Sequence, residues 1–493
     1  MILEAVLLVV ITLAFLAVYD YMATPTNLPD GPKPLPLIGN LHNIAGSEIH
    51  LAVTKLVKDY GDVFTLRILG ESIVFINSGA AAKEAMLGKH MDDFAGRPKK
   101  FTFDYITRNC QDIILGDYSR ALNWRRKVFH SALRMYAPRF DNIIREQIVA
   151  FESRMDASEG LPVDSRDEFA LLILNIICSF VCGKTYSLDD PEFKKIKQFN
   201  IYSAEVPVAT CILNIFPWLI HFPLKSSRLF KGFRNTRDEV LDKIFLAHKE
   251  TFQEGNIRDL ADALLQAKIE IEREDKKAVG MVTDDHVIMM LSDIFGGGLE
   301  STISSLRWCV AFLIYHPEVQ ARAQAELDDV IGEKFPTLAD REKLPYIEAV
   351  IAETLRMGSN VPLAIPHKAI RDTAFRERAI PKGTTVLLNL WAIHRDPKEW
   401  SNPEEFYPGR FINSNGEFEV PSKLSFLPFS LGRRVCVGQS VAKAELFLIV
   451  ARMIQRYTFE TPRDTPRPCL KGVVGVTRYI EDFKFCARPR TTT

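Results

Sequence analysis

Phe429-Ser-Leu-Gly432-Arg433-Arg434-Val-Cys436-Val-Gly438 decides how the rest of this sequence is read. One cysteine stands behind a glycine and two arginines, just ahead of a glycine that opens a helical pattern running to about residue 456. Those are surroundings for an ionised thiolate, because the free N–H groups of a helix amino terminus and nearby guanidinium charge both favour the anion. Gly432 and Gly438 carry no Cβ, so the backbone at both is expected to approach a flat, bulky group closely. The other seven cysteines (110, 178, 182, 211, 309, 469, 486) form neither CxxC pairs nor a disulfide framework, and reduced thiols are expected.

Two upstream stretches also need an explanation. Asp293-Ile-Phe-Gly296-Gly297-Gly298-Leu-Glu300-Ser301-Thr302 lies inside a long apolar helical pattern, 283 to 316. Three consecutive glycines there each cost roughly 1 kcal/mol against alanine. Their missing side chains open room beside the helix, and Glu300 and Ser301 follow with a carboxyl and an alcohol, groups suited to relaying protons. Thr302 is a second hydroxyl about 100° further round. Glu353-Thr-Leu-Arg356 places acid and base three apart on one helical face, and Tyr407-Pro-Gly-Arg410-Phe411 adds another arginine. On a surface helix such a pair is worth only about 0.2–0.5 kcal/mol.

FxxGxRxCxG is the haem-ligand signature of the cytochrome P450 family, and every fixed position is matched here. The chain resembles that family along essentially its whole length, with the ExxR and PxRF elements at the family's order and spacing. The resemblance implies that Cys436 is the axial thiolate ligand of haem b, with Gly438 close against it; such a ligand favours O–O cleavage. It implies that Glu353, Arg356 and Arg410 form a buried structural triad. It assigns Glu300 and Ser301 to proton relay beside the glycine opening, where the family has Thr in place of Ser301. Serine keeps the donor and acceptor but loses the methyl that stiffens the rotamer, and Thr302 is a possible substitute.

Haem propionates need donors, and the resemblance nominates Arg97, Arg126, His367 and Arg434. The family's tryptophan four residues before the arginine equivalent to Arg126 is Leu122 here, while Trp124 comes two residues late, so Arg125 and Arg126 both stay open. His367 also reads as a hydrogen-bonded turn histidine. Arg125, Arg126, Lys127, Arg433 and Lys443 are expected on the cysteine side of the haem as a basic patch for an acidic redox partner. The resemblance makes that partner NADPH–cytochrome P450 reductase, with cytochrome b5 as a second candidate.

DIFGGGLESTISSLRW, PLAIPHKAI, LLNLWAIHRDPKEW and AELFLIVARMIQRYTFE look most like animal microsomal members, particularly the steroid 17α-hydroxylase/17,20-lyase group. A lipophilic substrate, a steroid or another lipid, is therefore expected. Where that group places a polar Asn toward the steroid, gapless register gives Val206, which removes a hydrogen-bond partner. With it, the candidate pocket residues are Ile114, Leu115, Gly297, Gly298, Val361, Leu363 and Ala364, all apolar and suited to binding by burial. The implied reaction uses O2 and two electrons from NADPH to insert one oxygen atom into a C–H bond. A haem-thiolate isomerase or dehydratase working without O2, and a non-catalytic haem or sterol binder, remain as alternatives.

Composition agrees with a large folded body. Of 493 residues, 47% are hydrophobic and 25% charged, and no linker or fixed-period repeat interrupts the chain after residue 40. Lys plus Arg equals Asp plus Glu at 62 each, which removes any whole-protein electrostatic case for nucleic acid. Residues 2 to 19 carry one charge, Glu4, in a stretch about long enough to cross a bilayer, with no basic region before it or clear cleavage site after it. The expected organisation is a single-pass anchor over 1–20 in the endoplasmic reticulum membrane, a proline-rich hinge over 21–40, and a cytosolic haem-binding catalytic domain over 41–493. Prolines 25, 29, 32, 34 and 36 predict a stiff extended strut.

Alternation over 63–78 predicts two strands turning at Gly70-Glu71, after a helix ending at Gly61. Periodicity of 3.6 predicts helices over 140–156, 190–215, 236–254, 283–316, 317–332, 344–357 and 438–456, with short strands near 385–391. The class is mainly α with a small β region. The 283–316 helix is expected to thread the core and meet solvent only at its ends.

Overall fold

The computed structural model describes Thr12, Phe15 and residues 27–46, 48–205, 211–475 and 477–490, with side chains at 200 and 203–205 left aside. The expected anchor over 1–20 and the pocket candidate Val206 therefore lie outside the described residues. Among the described residues no helix is long and apolar enough to cross a membrane. The chain is mainly helical with small sheets and forms two compact units. One comprises Met1–Pro98, Val361–Pro403 and Ser422–Cys436; the other comprises Lys99–Asn360, Glu404–Pro421 and Val437–Thr493.

The first unit is built on a four-stranded sheet ordered Val63–Ile68, Glu71–Ile76, Thr385–Leu388, His367–Lys368. Val63–Ile68 and Glu71–Ile76 run antiparallel around Leu69 and Gly70, both at positive φ, one residue earlier than the sequence predicts. Thr385–Leu388 adds in parallel, with Ile73 opposite Thr385, and His367–Lys368 closes the edge antiparallel. Phe64, Leu66 and Phe75 pack with Ala52 and Val53 of the Ile49–Tyr60 helix. Val74, Ile76, Val386 and Leu388 pack with Ala81, Ala82, Ala85 and Met86 of the Gly79–Leu87 helix. At the end of the predicted strut Leu35 and Gly39 pair across a tight turn with Leu37 at φ 66°. Asn40 fastens that turn, donating to Pro32 O at 2.9 Å and accepting from Arg67 N at 2.8 Å.

The second unit surrounds the Asp284–Tyr315 helix, whose 32 residues rise about 48 Å. The Ser165–Cys182, Pro345–Gly358, Lys225–Thr251 and Gln439–Arg456 helices pack on it. Ser165–Cys182 is buried nearly all round, which is why its sequence reads as one apolar run without a polar face. Predicted boundaries hold within a few residues for 140–156, 317–332, 344–357 and 438–456. The 190–215 helix is described over Pro191–Glu205, with 206–210 outside the described residues and a 3-10 turn over Ile212–Asn214, and the 236–254 helix begins at Lys225. A three-stranded antiparallel sheet of Val163–Asp164, Lys484–Pro489 and Tyr457–Glu460 lies against Phe169, which stacks on Phe485 at 5.8 Å.

Candidate active site

In the first unit, the segment ending at Cys436 is shaped by backbone needs. Ser430 has φ 58° and Gly432 φ 77°, and a Cβ on Gly432 would sit 2.2 Å from Met86 O. Gly432 is thus demanded by the Gly79–Leu87 helix, a reason the sequence alone did not offer. Gly432–Arg434 makes one 3-10 turn, and Cys436 N donates to Phe429 O at 3.0 Å. Cys436 is exposed, whereas Cys178, Cys182, Cys211, Cys309 and Cys486 are buried. In the second unit a Cβ on Gly438 would meet nothing within 4 Å, and Gly438 caps the Gln439–Arg456 helix.

Three predicted donors come together in the first unit. Arg97, His367 and Arg434 are only 5%, 2% and 6% exposed. Arg97 Nη1 donates to Ile365 O at 3.1 Å and Pro366 O at 2.8 Å, and Arg434 Nε donates to Ala95 O at 2.7 Å. His367 Nδ1 lies 2.9 Å from Phe94 O. Burial first, then the charges of Arg97 and Arg434, push His367 well below its ordinary range. Three buried donors whose charges disfavour one another match a carboxylate ligand, which would stabilise the arginines and let His367 regain its proton. This donor set fits the propionates of haem b. In the second unit Arg125 is buried and Arg126 half-buried. Arg125 Nε has no hydrogen-bond partner, so of the two arginines it is Arg125 that offers a buried donor.

The Asp284–Tyr315 helix departs from its expected burial at mid-length. Gly297 is exposed and Gly296, Gly298 and Ser301 are half-buried, within a helix otherwise packed on almost every side. Ser301 Oγ donates to Gly297 O at 2.7 Å. Glu300 is buried, with the Arg307 guanidinium in electrostatic reach two turns on. Thr302 turns elsewhere: its Oγ1 donates to Gly298 O at 2.8 Å and lies 3.4 Å from Glu445 Oε2. Burial pushes the Glu445 carboxyl up to about 8.

Ile114 stands across from the glycines, its Cδ1 3.5 Å from where a Gly297 Cβ would be, and Leu115 is half-buried beside it. Gly298 faces Ile177 in the same way. In the first unit Val361, Leu363 and Ala364 are half-buried, Leu363 and Ala364 against its two apolar clusters. Sequence reasoning gave Asp293 no role, yet this buried carboxyl accepts from Ile113 N at 2.7 Å. Burial first, and then the neighbouring Asp112, push it well above the ordinary carboxylate range. A lone acid in the apolar run MMLSDIF was the available signal.

Glu353 and Arg356 are fully buried, and the Arg410 side chain is nearly so. Arg356 donates to both Glu353 oxygens at 2.7 and 2.9 Å, and Arg410 Nε to Glu353 Oε1 at 3.0 Å. Both arginines also reach Glu405 O at 3.1 Å. The predicted basic patch is thinner than expected, since Arg125 is buried and Lys443 half-buried. Arg433, exposed, pairs with Asp92 at 2.8 Å, and Lys127, exposed, lies over Trp124 at 5.1 Å.

Residues 29–487 match the family model "Cytochrome P450". The chain belongs to the cytochrome P450 family. It is 38% identical over 473 residues to the steroid 17-alpha-hydroxylase/17,20 lyase of Gallus gallus, covering 95% of this chain and 93% of that one. With the enzyme of the same name from Papio cynocephalus it shares 33% over 489 residues, covering 98% and 96%. A zebrafish cytochrome P450 solved with progesterone superposes with a TM-score of 0.80 at 34% identity, covering 90% of this chain and 100% of that one. As a P450, the chain binds haem b through a cysteine thiolate and is a monooxygenase that needs a redox partner and takes a lipophilic substrate.

Proposed function

We propose that this P450 hydroxylates a steroid, with electrons passed from NADPH by NADPH–cytochrome P450 reductase and with cytochrome b5 as a second donor. The accessible Gly297–Ser301 face in the middle of a buried helix carries the reading, and the steroid enzymes at 33–38% identity supply the substrate class. Haem b held by a thiolate supplies the oxygen activation that this chemistry needs.

Cys436 is the thiolate donor, with Gly438 leaving room beside it. Arg97, His367 and Arg434 of the first unit would hold the propionates as charge-assisted donors, and Arg125 or Arg126 of the second is the candidate for a further donor. Glu300 holds a proton and Ser301 Oγ passes it on, its hydroxyl aligned by Gly297 O at 2.7 Å. Thr302, bonded to Gly298 and near Glu445, keeps the helix in register with its neighbour. Ile114, Leu115, Gly297 and Gly298 of the second unit, and Val361, Leu363 and Ala364 of the first, are the apolar candidates for substrate contact, as is Val206, and suit binding by burial at roughly 25 cal/mol per Å2.

Residues 1–20 anchor the protein in the endoplasmic reticulum membrane, 21–40 form the hinge, and 41–493 form the cytosolic catalytic domain. Ile212, Ile215, Phe216, Trp218, Phe222 and Leu224 are exposed together, an apolar surface suited to the bilayer interface. Removing residues 1–24 should therefore release only part of the protein from membranes.

The function is tested with purified protein, reductase and a steroid panel. A steroid-induced Soret shift followed by NADPH- and O2-dependent hydroxylated product is expected. Spin shifts without product, or product formed without O2, would contradict the reading.

A further inference from the structure

We propose that Asp293 is a positioning residue for the substrate: its carboxyl fastens the main chain of Ile113 and Ile114 to the Asp284–Tyr315 helix, one turn before Gly297, and so fixes where Ile114 stands over the Gly297–Ser301 face. The inference rests on the pocket reading given above and names the residue that sets the pocket's spacing.

The segment needs fastening. Arg108, Asn109 and Cys110 are successive non-glycine residues at φ 47°, 63° and 57°, a backbone that L residues adopt only under constraint. At its outer end Arg108 is caged by Asp238 at 2.8 Å, Asp242 at 2.7 Å and Asp285 at 2.7 Å. Within it, Arg125 donates to Cys110 O at 3.2 Å and Asp112 O at 3.1 Å, and Asp112 Oδ2 accepts from Leu115 N at 2.6 Å. These contacts shape the segment, whereas Asp293 attaches it to the helix that carries Gly297 and Ser301. Its Oδ2 accepts from Ile113 N at 2.7 Å, and Ile114 N also donates to the carboxyl.

A carboxyl on this apolar helix face is costly to bury, and the two amides are what it provides for. The result is local: Ile114 Cδ1 lies 3.5 Å from the Cβ position of Gly297, which is itself the carbonyl partner of Ser301. A substrate carbon presented to that face is shouldered by Ile114, so a shift of the segment changes which carbon is presented.

The test uses the full-length protein with reductase and compares Asp293→Asn, Asp293→Ala, Ile114→Ala and the Asp293→Ala/Ile114→Ala pair, with progesterone as probe. Asparagine keeps an oxygen acceptor, so exchange protection at the 113 and 114 amides and the ratio of hydroxylated products should stay within about twofold of the parent. Asp293→Ala should speed exchange at those amides about tenfold or more and shift the product ratio about threefold or more, with the thiolate-type carbon monoxide band retained. Ile114→Ala should shift the ratio in the same direction, and the double variant should go no further. Should Asp293→Ala lose haem, Asp293→Ser, whose hydroxyl is too short for both amides, takes its place.

Unchanged exchange in the variant without the carboxyl, or faster exchange with an unchanged product ratio, overturns the proposal. Failure of the steroid reading is separate: the parent protein would show no progesterone-induced Soret shift. Exchange then still decides the fastening, and the product ratio is scored on dodecanoic acid instead.

Discussion

The segment closing at Cys436 and the helix turn from Asp293 to Thr302 both break ordinary sequence rules, for opposite physical reasons. Around Cys436 the unusual residues answer to the protein's own backbone: Ser430 and Gly432 lie at positive φ, and Met86 O leaves no space for a side chain. Along 293–302 the glycines meet almost nothing. Gly296 has no neighbour within 4 Å of a built Cβ, and Gly297 and Gly298 touch only isoleucine tips. One region is dictated by packing, the other by space kept clear. Substitutions should therefore damage folding and haem retention in the first and similarly constrained places, and catalysis or its selectivity in the second.

The largest effect is expected where packing constraint is combined with buried charge. Glu353→Ala removes the counter-charge of two buried arginines and should cost about 3–5 kcal/mol, read as a fall in thermal midpoint and haem content. An unchanged midpoint would show that the triad is not what it stabilises. Gly432→Ala should cost about 2–3 kcal/mol, because the new Cβ collides with main chain and the φ of 77° is unfavourable. Gly438→Ala sharpens the contrast: with nothing within 4 Å, it should leave apoprotein stability within about 0.5 kcal/mol and show any loss in haem affinity. Equal damage from both glycine variants would erase the distinction.

On the helix, Ser301→Ala should leave folding intact and lower product per NADPH about a hundredfold, whereas Ser301→Thr should retain it. A fully coupled alanine variant would remove Ser301 from proton transfer. A pH-dependent effect concerns Glu445, whose carboxyl is raised by burial from 4.5 to about 8. The folded state holds this proton longer than the unfolded chain, so its stabilisation is complete below about pH 4.5 and is lost as pH rises to about 8, by at most about 1.4 kcal/mol per unit. Glu445→Gln should flatten that part of the stability profile, measured by urea midpoints across the window. An identical slope in the variant would place the titrating group elsewhere.

The same division explains what could be read from sequence. The Cys436 stretch and the Glu353-Arg356-Arg410 triad were legible because close approach and buried charge tolerate few residue types. Most helix positions were legible because one face meets solvent and 283–316 because of its length, while the shorter Ser165–Cys182, apolar nearly all round, offered no period. The turn that closes the proline series was not legible, because proline fixes φ but cannot tell that Asn40 will draw the chain back onto Pro32 and Arg67. The choice between Arg125 and Arg126 depends on helix phase, which the displaced tryptophan obscures. Asp293 was hidden because its partners are main-chain amides, which leave no residue pattern. Pocket positions ask only for apolarity, so their identity says little about which steroid carbon is attacked.

The central claim is that Cys436 supplies the thiolate. The carbon monoxide difference spectrum of the reduced protein tests it most directly, read beside Cys436→Ala at matched protein content. The parent should show the long-wavelength Soret band of a thiolate-ligated haem and the variant should lack it; persistence of that band without Cys436 would contradict the account.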